Sequence, residues 1–112
     1  MFHKRPGLMT RYNIVFYHKR NGRMPVLEYI QDKSKEEKGR INRKLGLLEL
    51  FGENLQMPHS KRLTKDIYEL RPEGMRLFYF WSGKDAVFTN AIDKKDFRQD
   101  DIVIAEKRMK EL

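Results

Sequence analysis

Three closely spaced runs decide the fold class: Ile67-Tyr68-Glu69-Leu70-Arg71, Met75-Arg76-Leu77-Phe78-Tyr79-Phe80-Trp81 and Ala86-Val87-Phe88-Thr89-Asn90-Ala91-Ile92. Each is rich in β-branched and aromatic residues and reads as a strand. They are joined by Pro72-Glu73-Gly74 and by Ser82-Gly83-Lys84-Asp85. Connections this short require antiparallel hairpins, so the three runs form a meander. Upstream, Arg11-Tyr12-Asn13-Ile14-Val15-Phe16-Tyr17 reads as a fourth strand, followed by a basic turn around Asn21-Gly22. Pro25 suits the first position of a helix, with Val26, Leu27 and Ile30 on one face. Ser34-Lys35-Glu36-Glu37 has the form of a capping box, and Ile41, Leu45 and Leu48 then recur at helical spacing up to a stop at Gly52. Asp100-Asp101 open a last helix with Ile102, Ala105, Met109 and Leu112 on one face. The expected fold is α+β in the order β-α-α-β-β-β-α, an antiparallel sheet covered by an N-terminal helical hairpin and closed by a C-terminal helix. Residues 11–112 form one domain on this reading. Residues 1–10, which contain Pro6-Gly7 and lack periodicity, are set apart as a short basic N-terminal extension.

The 112 residues comprise 39% hydrophobic and 36% charged residues, a balance that supports a folded domain rather than a disordered chain. The absence of cysteine excludes disulfides, thiolate metal sites and cysteine nucleophiles. No apolar run reaches the ~20 residues of a membrane span, so a cytoplasmic domain is expected. The net charge of +8 points to a polyanion. Six of those units lie in residues 1–23, on Lys4, Arg5, Arg11, Lys19, Arg20 and Arg23, with no acid among them.

Side-chain alternation places Arg76, Phe78 and Phe80 on one face of the middle strand and Leu77, Tyr79 and Trp81 on the other. Glu69 and Arg71 share a face of the preceding strand. With the hairpin covering one side of the sheet, the aromatics of the other side are expected to meet a partner segment or stacked bases. The basic run Pro58-His59-Ser60-Lys61-Arg62-Leu63-Thr64-Lys65 precedes the meander and Asp93-Lys94-Lys95-Asp96 follows it. An antiparallel sheet can therefore gather Lys61, Arg62 and Lys65 with Arg71, Arg76, Lys94 and Lys95 at one end. Arginine forks and lysine point charges in that arrangement suit phosphate. Ordinary cross-strand pairing of Arg71 or Arg76 with Glu69 or Glu73 is the structural alternative. His3, His18 and His59 have no second ligand at metal spacing, and no phosphate-binding glycine motif is present.

Met57-Pro58-His59-Ser60-Lys61-Arg62-Leu63, Tyr68-Glu69-Leu70-Arg71, Arg76-Leu77-Phe78-Tyr79 and Lys94-Lys95, in this order and spacing, resemble the RelE/ParE superfamily of toxins, and more narrowly its phage-derived HigB-like branch. The resemblance runs from about Tyr12 to the C-terminus. It implies the toxin of a type II toxin–antitoxin system, an endoribonuclease that cleaves mRNA on the ribosome without a metal or other cofactor. In that chemistry the substrate's 2′-hydroxyl attacks the adjacent phosphate. The resemblance assigns Arg71 and Arg76 to the phosphate and Lys94, Lys95 and Lys61 to charge or proton supply. Glu69 matches the family glutamate, as a base or as a structural partner of Arg71. Further RNA contacts fall to Arg62, Lys65, Tyr79, Arg20 and Arg23. The implied partners are mRNA, the ribosome and a helix-turn-helix antitoxin, with DNA bound only through the antitoxin complex and no membrane. Relatives without RNase activity leave a non-catalytic reading open, either a gyrase-directed toxin of the ParE type or an inactive phage accessory protein. Four acids, Asp93, Asp96, Asp100 and Asp101, stand close to the paired lysines, where they would oppose RNA phosphates.

Overall fold

The computed structural model describes residues 2–4 and 11–111. The chain runs through β1 (Phe2–Lys4), β2 (Asn13–Tyr17), α1 (Pro25–Gln31), α2 (Lys35–Phe51), β3 (Ser60–Arg62), β4 (Tyr68–Leu70), β5 (Met75–Ser82), β6 (Asp85–Asp93) and α3 (Gln99–Met109). The α+β class and the β4-β5-β6 meander are as expected, with Tyr68 paired to Tyr79 and Arg76 to Ile92. The capping box is also present: the Ser34 hydroxyl accepts from the Glu37 amide, and the Glu37 carboxylate accepts from the Ser34 amide.

The sheet departs from the expected antiparallel one in two ways. Its six strands lie in the order β1-β2-β6-β5-β4-β3, and β2 runs parallel to β6, so the sheet is mixed. The α1–α2 hairpin is the crossover that a parallel pairing needs. Two short strands were also not anticipated. Ser60–Arg62 extends the meander at one edge, and Phe2–Lys4 pairs antiparallel with β2 at the other. Phe2–Lys4 thus belong to the sheet rather than to a separate extension. The rest of that stretch, residues 1 and 5–10, lies outside the described residues, as does Leu112.

Both faces of the sheet are covered. On one face, Val26, Ile41, Leu45 and Leu48 of the hairpin pack on Ile14, Phe16, Leu77, Tyr79 and Phe88. On the other, Ala105 and Met109 of α3 join Val15, Phe78, Phe80 and Val87. The expected open aromatic face is therefore corrected: α3 buries it, which explains why β5 is apolar on both sides. Two polar ties hold α3 in place. A bulge in β6 leaves Thr89 without a cross-strand partner, and its carbonyl accepts from Arg108 at 2.7 Å. The Asn90 amide donates to the Asp101 carbonyl at 3.0 Å. Tyr17 adds a hydrogen bond to Glu111 from below. Among the described residues, no helix is long and apolar enough to cross a membrane.

Candidate phosphate-binding cleft

Strand pairing builds the site. Lys61 lies opposite Glu69, which lies opposite Phe78, so all three share the face that α3 covers. Arg71 and Arg76, two residues along their strands from Glu69 and Phe78, lie on the same face. The helix covers the Phe78–Phe80 part of that face. Beyond its N-terminal half the sheet opens into a cleft of about 680 Å³. Lys61 and Arg62 form one rim, Lys94 another, and Glu69, Arg71 and Arg76 the floor.

The floor is an ion triad. Glu69 Oε2 lies 3.6 Å from Arg71 Nε and 3.8 Å from Arg76 Nε, so one carboxylate is shared by two guanidiniums. Arg76 and Glu69 are buried, whereas Arg71 is partly exposed. The Arg76 guanidinium also donates to the Met75 carbonyl at 2.7 Å. Burial, and then the neighbouring Arg71 cation, hold Arg76 below the usual arginine range, and Glu69 opposes that shift. Two cations with one shared counter-charge leave a net positive floor, the arrangement that attracts a second anion. The cross-strand pairing with Glu69 is therefore real, and it does not exhaust the arginines.

The remaining candidates divide. Lys61, Arg62 and Lys94 line the cleft, as expected. Arg62 is pinned at its rim by bonds to the Thr64 and Lys65 carbonyls, both 3.2 Å from its Nε. Lys95 does not join them. Lys94–Asp96 is a 3₁₀ turn, which points successive side chains in different directions, and Lys95 lines a separate groove with Glu37 and Asp93. The exposed Lys65 side chain lies outside the cleft lining as well. Tyr79 is corrected as an RNA contact. It is buried under the hairpin, its hydroxyl 2.5 Å from Ser60 Oγ, and burial pushes its pKa up to about 12. Arg20 and Arg23 sit on the turn after β2, and Arg23 is paired with Glu28 at 2.7 Å. Neither lines the cleft.

Two of the acids near Lys94 are already engaged. Asp93 accepts from Lys33 and Tyr29, both at 2.6 Å, and these bonds hold its carboxyl below the usual range. The Asp101 carboxylate accepts from the Arg98 amide at 2.8 Å at the start of α3. Sequence reasoning missed the second wall of the cleft, formed by Phe97, Gln99, Ile102, Val103 and Glu106. Its signal was Val103, an apolar residue off the buried stripe of α3 and 59% exposed. Among the described residues no three His, Cys, Asp or Glu side chains form a group fit to hold a metal ion.

A family model described as phage derived protein Gp49-like (DUF891) matches residues 28–110, a span that includes α2, the whole meander and α3. No curated protein matches the sequence.

Proposed function

Because the chain belongs to the phage-derived Gp49-like family, within the RelE/ParE-like toxin group, we propose that it is the toxin of a type II toxin–antitoxin system and acts as an endoribonuclease of the HigB-like branch. The observation that supports this reading is the Arg71–Glu69–Arg76 triad on the floor of a cleft rimmed by Lys61 and Lys94.

RNA cleavage by its own 2′-hydroxyl places specific demands on a site. O2′ bonds to phosphorus and passes its proton to solvent water at the open mouth of the cleft. The P–O5′ bond then breaks and O5′ takes a proton from an acid, leaving a 2′,3′-cyclic phosphate and a 5′-hydroxyl. The crowded phosphorus gains negative charge on its equatorial oxygens, so fixed donors aimed there lower the barrier. Arg71, with an open approach, grips the phosphate, and Arg76 beneath it fixes the charge of the floor. Glu69 orients both guanidiniums; with two cations on its carboxylate, it is a structural partner rather than the base. Lys61 and Lys94, on opposite rims, supply the further charge and the proton for the leaving oxygen. The apolar wall of Ile102 and Val103 gives ribose or base a dry surface. No metal is required by this chemistry. The messages are cut on the ribosome. An acidic segment of a helix-turn-helix antitoxin masks the cleft, and DNA is bound through that complex.

Induction of the wild type beside Arg71→Ala and Lys94→Ala variants, with message ends mapped by primer extension, tests the proposal. Growth arrest with new message ends that both variants lose is the expected result. Arrest with intact messages overturns it and favours a non-catalytic target. Circular dichroism of the purified variants separates lost chemistry from lost folding.

A further inference from the structure

Arg71 faces a second hollow as well as the cleft. On the far side of its side chain lies an open groove of about 480 Å³ lined by Arg40, Arg43, Lys44, His59 and Glu73. Arg40, Arg43 and Lys44 stand at i, i+3 and i+4 of α2 and so bring three cations onto one helix face, an arrangement that weakens an isolated helix by mutual repulsion. The only carboxylate lining the groove is Glu73, which is exposed and 3.9 Å from Arg40 Nε. Among the described residues no carboxylate forms an ion pair with Arg43 or Lys44. Lys44 Nζ instead donates to His59 Nδ1 at 2.7 Å, a bond that leaves its positive charge uncompensated. Leu47 and Pro58 supply apolar surface between the charges.

We propose that this groove is a second phosphate subsite, which holds the backbone of single-stranded RNA next to the phosphate in the cleft, with Arg71 as the link between the two. This rests on the RNA-cleaving reading of the cleft, since continuity through Arg71 selects RNA over another polyanion. Arg43 and Lys44 bind phosphate oxygens here without regard to base identity, and the groove thus adds affinity and direction to the strand rather than chemistry.

The test is fluorescence anisotropy with a labelled 12-nucleotide RNA whose 2′-hydroxyls are methylated, so that binding is read without cleavage. Wild type, Arg43→Gln/Lys44→Gln and Arg43→Gln alone are titrated between 50 and 300 mM KCl. Lys107→Gln/Lys110→Gln, an equal loss of charge on the exposed end of α3, serves as control. Each phosphate contact on single strands contributes about 0.7 to the slope of log K against log salt. The double variant is expected to be shallower by about 1.4 and, at 0.1 M salt, about 25-fold weaker, with the single variant near half that change. The control should change the slope by less than about 0.3. An unchanged slope in the α2 variants, an equal change in the control, or no RNA binding by the wild type overturns the inference. Message cleavage by the wild type is scored separately. Cleavage with an unchanged slope removes the groove and leaves the cleft reading standing; a reduced slope without cleavage does the reverse.

Discussion

Replacing Glu69 by glutamine keeps the shape of the triad and removes only its negative charge. The Glu69 side chain is 9% exposed, and its Oε2 lies 3.6 and 3.8 Å from the two Nε atoms. At such separations each attraction is about 4 kcal/mol at an effective dielectric near 20. Relief of the carboxylate's own desolvation offsets much of that sum. Removal of one partner from a buried ion pair costs about 3–5 kcal/mol in practice. The glutamine amide keeps the volume and a dipole beside the guanidiniums, which puts Glu69→Gln at the lower end, near 3 kcal/mol. In a domain of this size that corresponds to a fall in Tm of roughly 12 °C. The loss should be partly reversible by anions, because Arg71 and Arg76 would then face each other with no counter-charge, and phosphate can enter between them from the cleft. Thermal unfolding followed by circular dichroism, in chloride and again in phosphate at equal ionic strength, gives the comparison. Phosphate should raise the Tm of Glu69→Gln by several degrees more than that of the wild type, the difference isolating binding from the general salt effect. A variant within about 2 °C of the wild type, or equal phosphate shifts in both proteins, would refute the reasoning. So would a thousandfold loss of RNA cleavage at unchanged stability, which is the signature of a general base.

Gly52→Ala should cost at least about 2 kcal/mol in urea unfolding, since the backbone there has φ +56° and a Cβ would stand 2.3 Å from the Tyr12 ring. Gly74→Ala, at φ +77° with open space around it, should cost only about 1 kcal/mol, and equal losses at the two sites would contradict this account. Arg108→Ala removes the bond to the Thr89 carbonyl and the cation over the Tyr17 ring; a loss of about 1.5–3 kcal/mol is expected, with faster amide exchange in α3 than in α2. The folded-state pKa of Asp93 is depressed, chiefly by Lys33 and then Tyr29, so its stabilisation is present above the ordinary carboxylate range and disappears as pH falls through the lowered value. Asp93→Asn should therefore be less stable than the wild type at pH 6, by an amount that shrinks toward pH 3, and a gap that stays constant with pH would rule this linkage out.

The parts of the fold that were legible in the sequence are those with strong local signals. Alternation in Met75–Trp81, short turns at Pro72-Glu73-Gly74 and Ser82-Gly83, and the Ser34–Glu37 box each specify structure within a few residues. Strand direction is not such a signal. The pattern of Ile14-Val15-Phe16 fits either orientation against Val87 and Phe88, and the crossover through α1 and α2 permits both. Ser60–Arg62 offered no apolar pattern at all, because only Ser60 of the three is buried and its neighbours are exposed lysine and arginine. The aromatic residues on the second face of β5 were visible, but not what covers them: α3 contributes only a small buried alanine and a partly buried methionine at the contact. At the site, alternation makes faces readable within each strand, Glu69 with Arg71 and Arg76 with Phe78, and strand register then brings the two sets onto one face. Lys95 was lost because a 3₁₀ turn breaks that alternation directly after β6. The spacing of Arg40, Arg43 and Lys44 on a helix is a local feature, whereas the presence of Arg71 beside them depends on tertiary structure.

Net charge pointed toward a polyanion, but most of its excess belongs to residues 1–23, and the chain beyond them is close to balanced. What makes the cleft positive is the fate of the acids around it. Asp93 turns to Lys33 and Tyr29 on the hairpin side of the sheet, and Asp101 is spent on the Arg98 amide. The cleft lining is left with five cations against Glu69 and Glu106. Between a dry sheet and α3 that imbalance is screened less than the same charges would be on an open loop. The length of α3 then sets where the charge becomes accessible: eleven residues rise about 16 Å, enough to cover Phe78 and Phe80 but not the Arg71–Arg76 end of the strands. The same sheet face is thus core at one end and an open, cation-rich cleft at the other, and the boundary is drawn by a helix whose own first residues form the second wall.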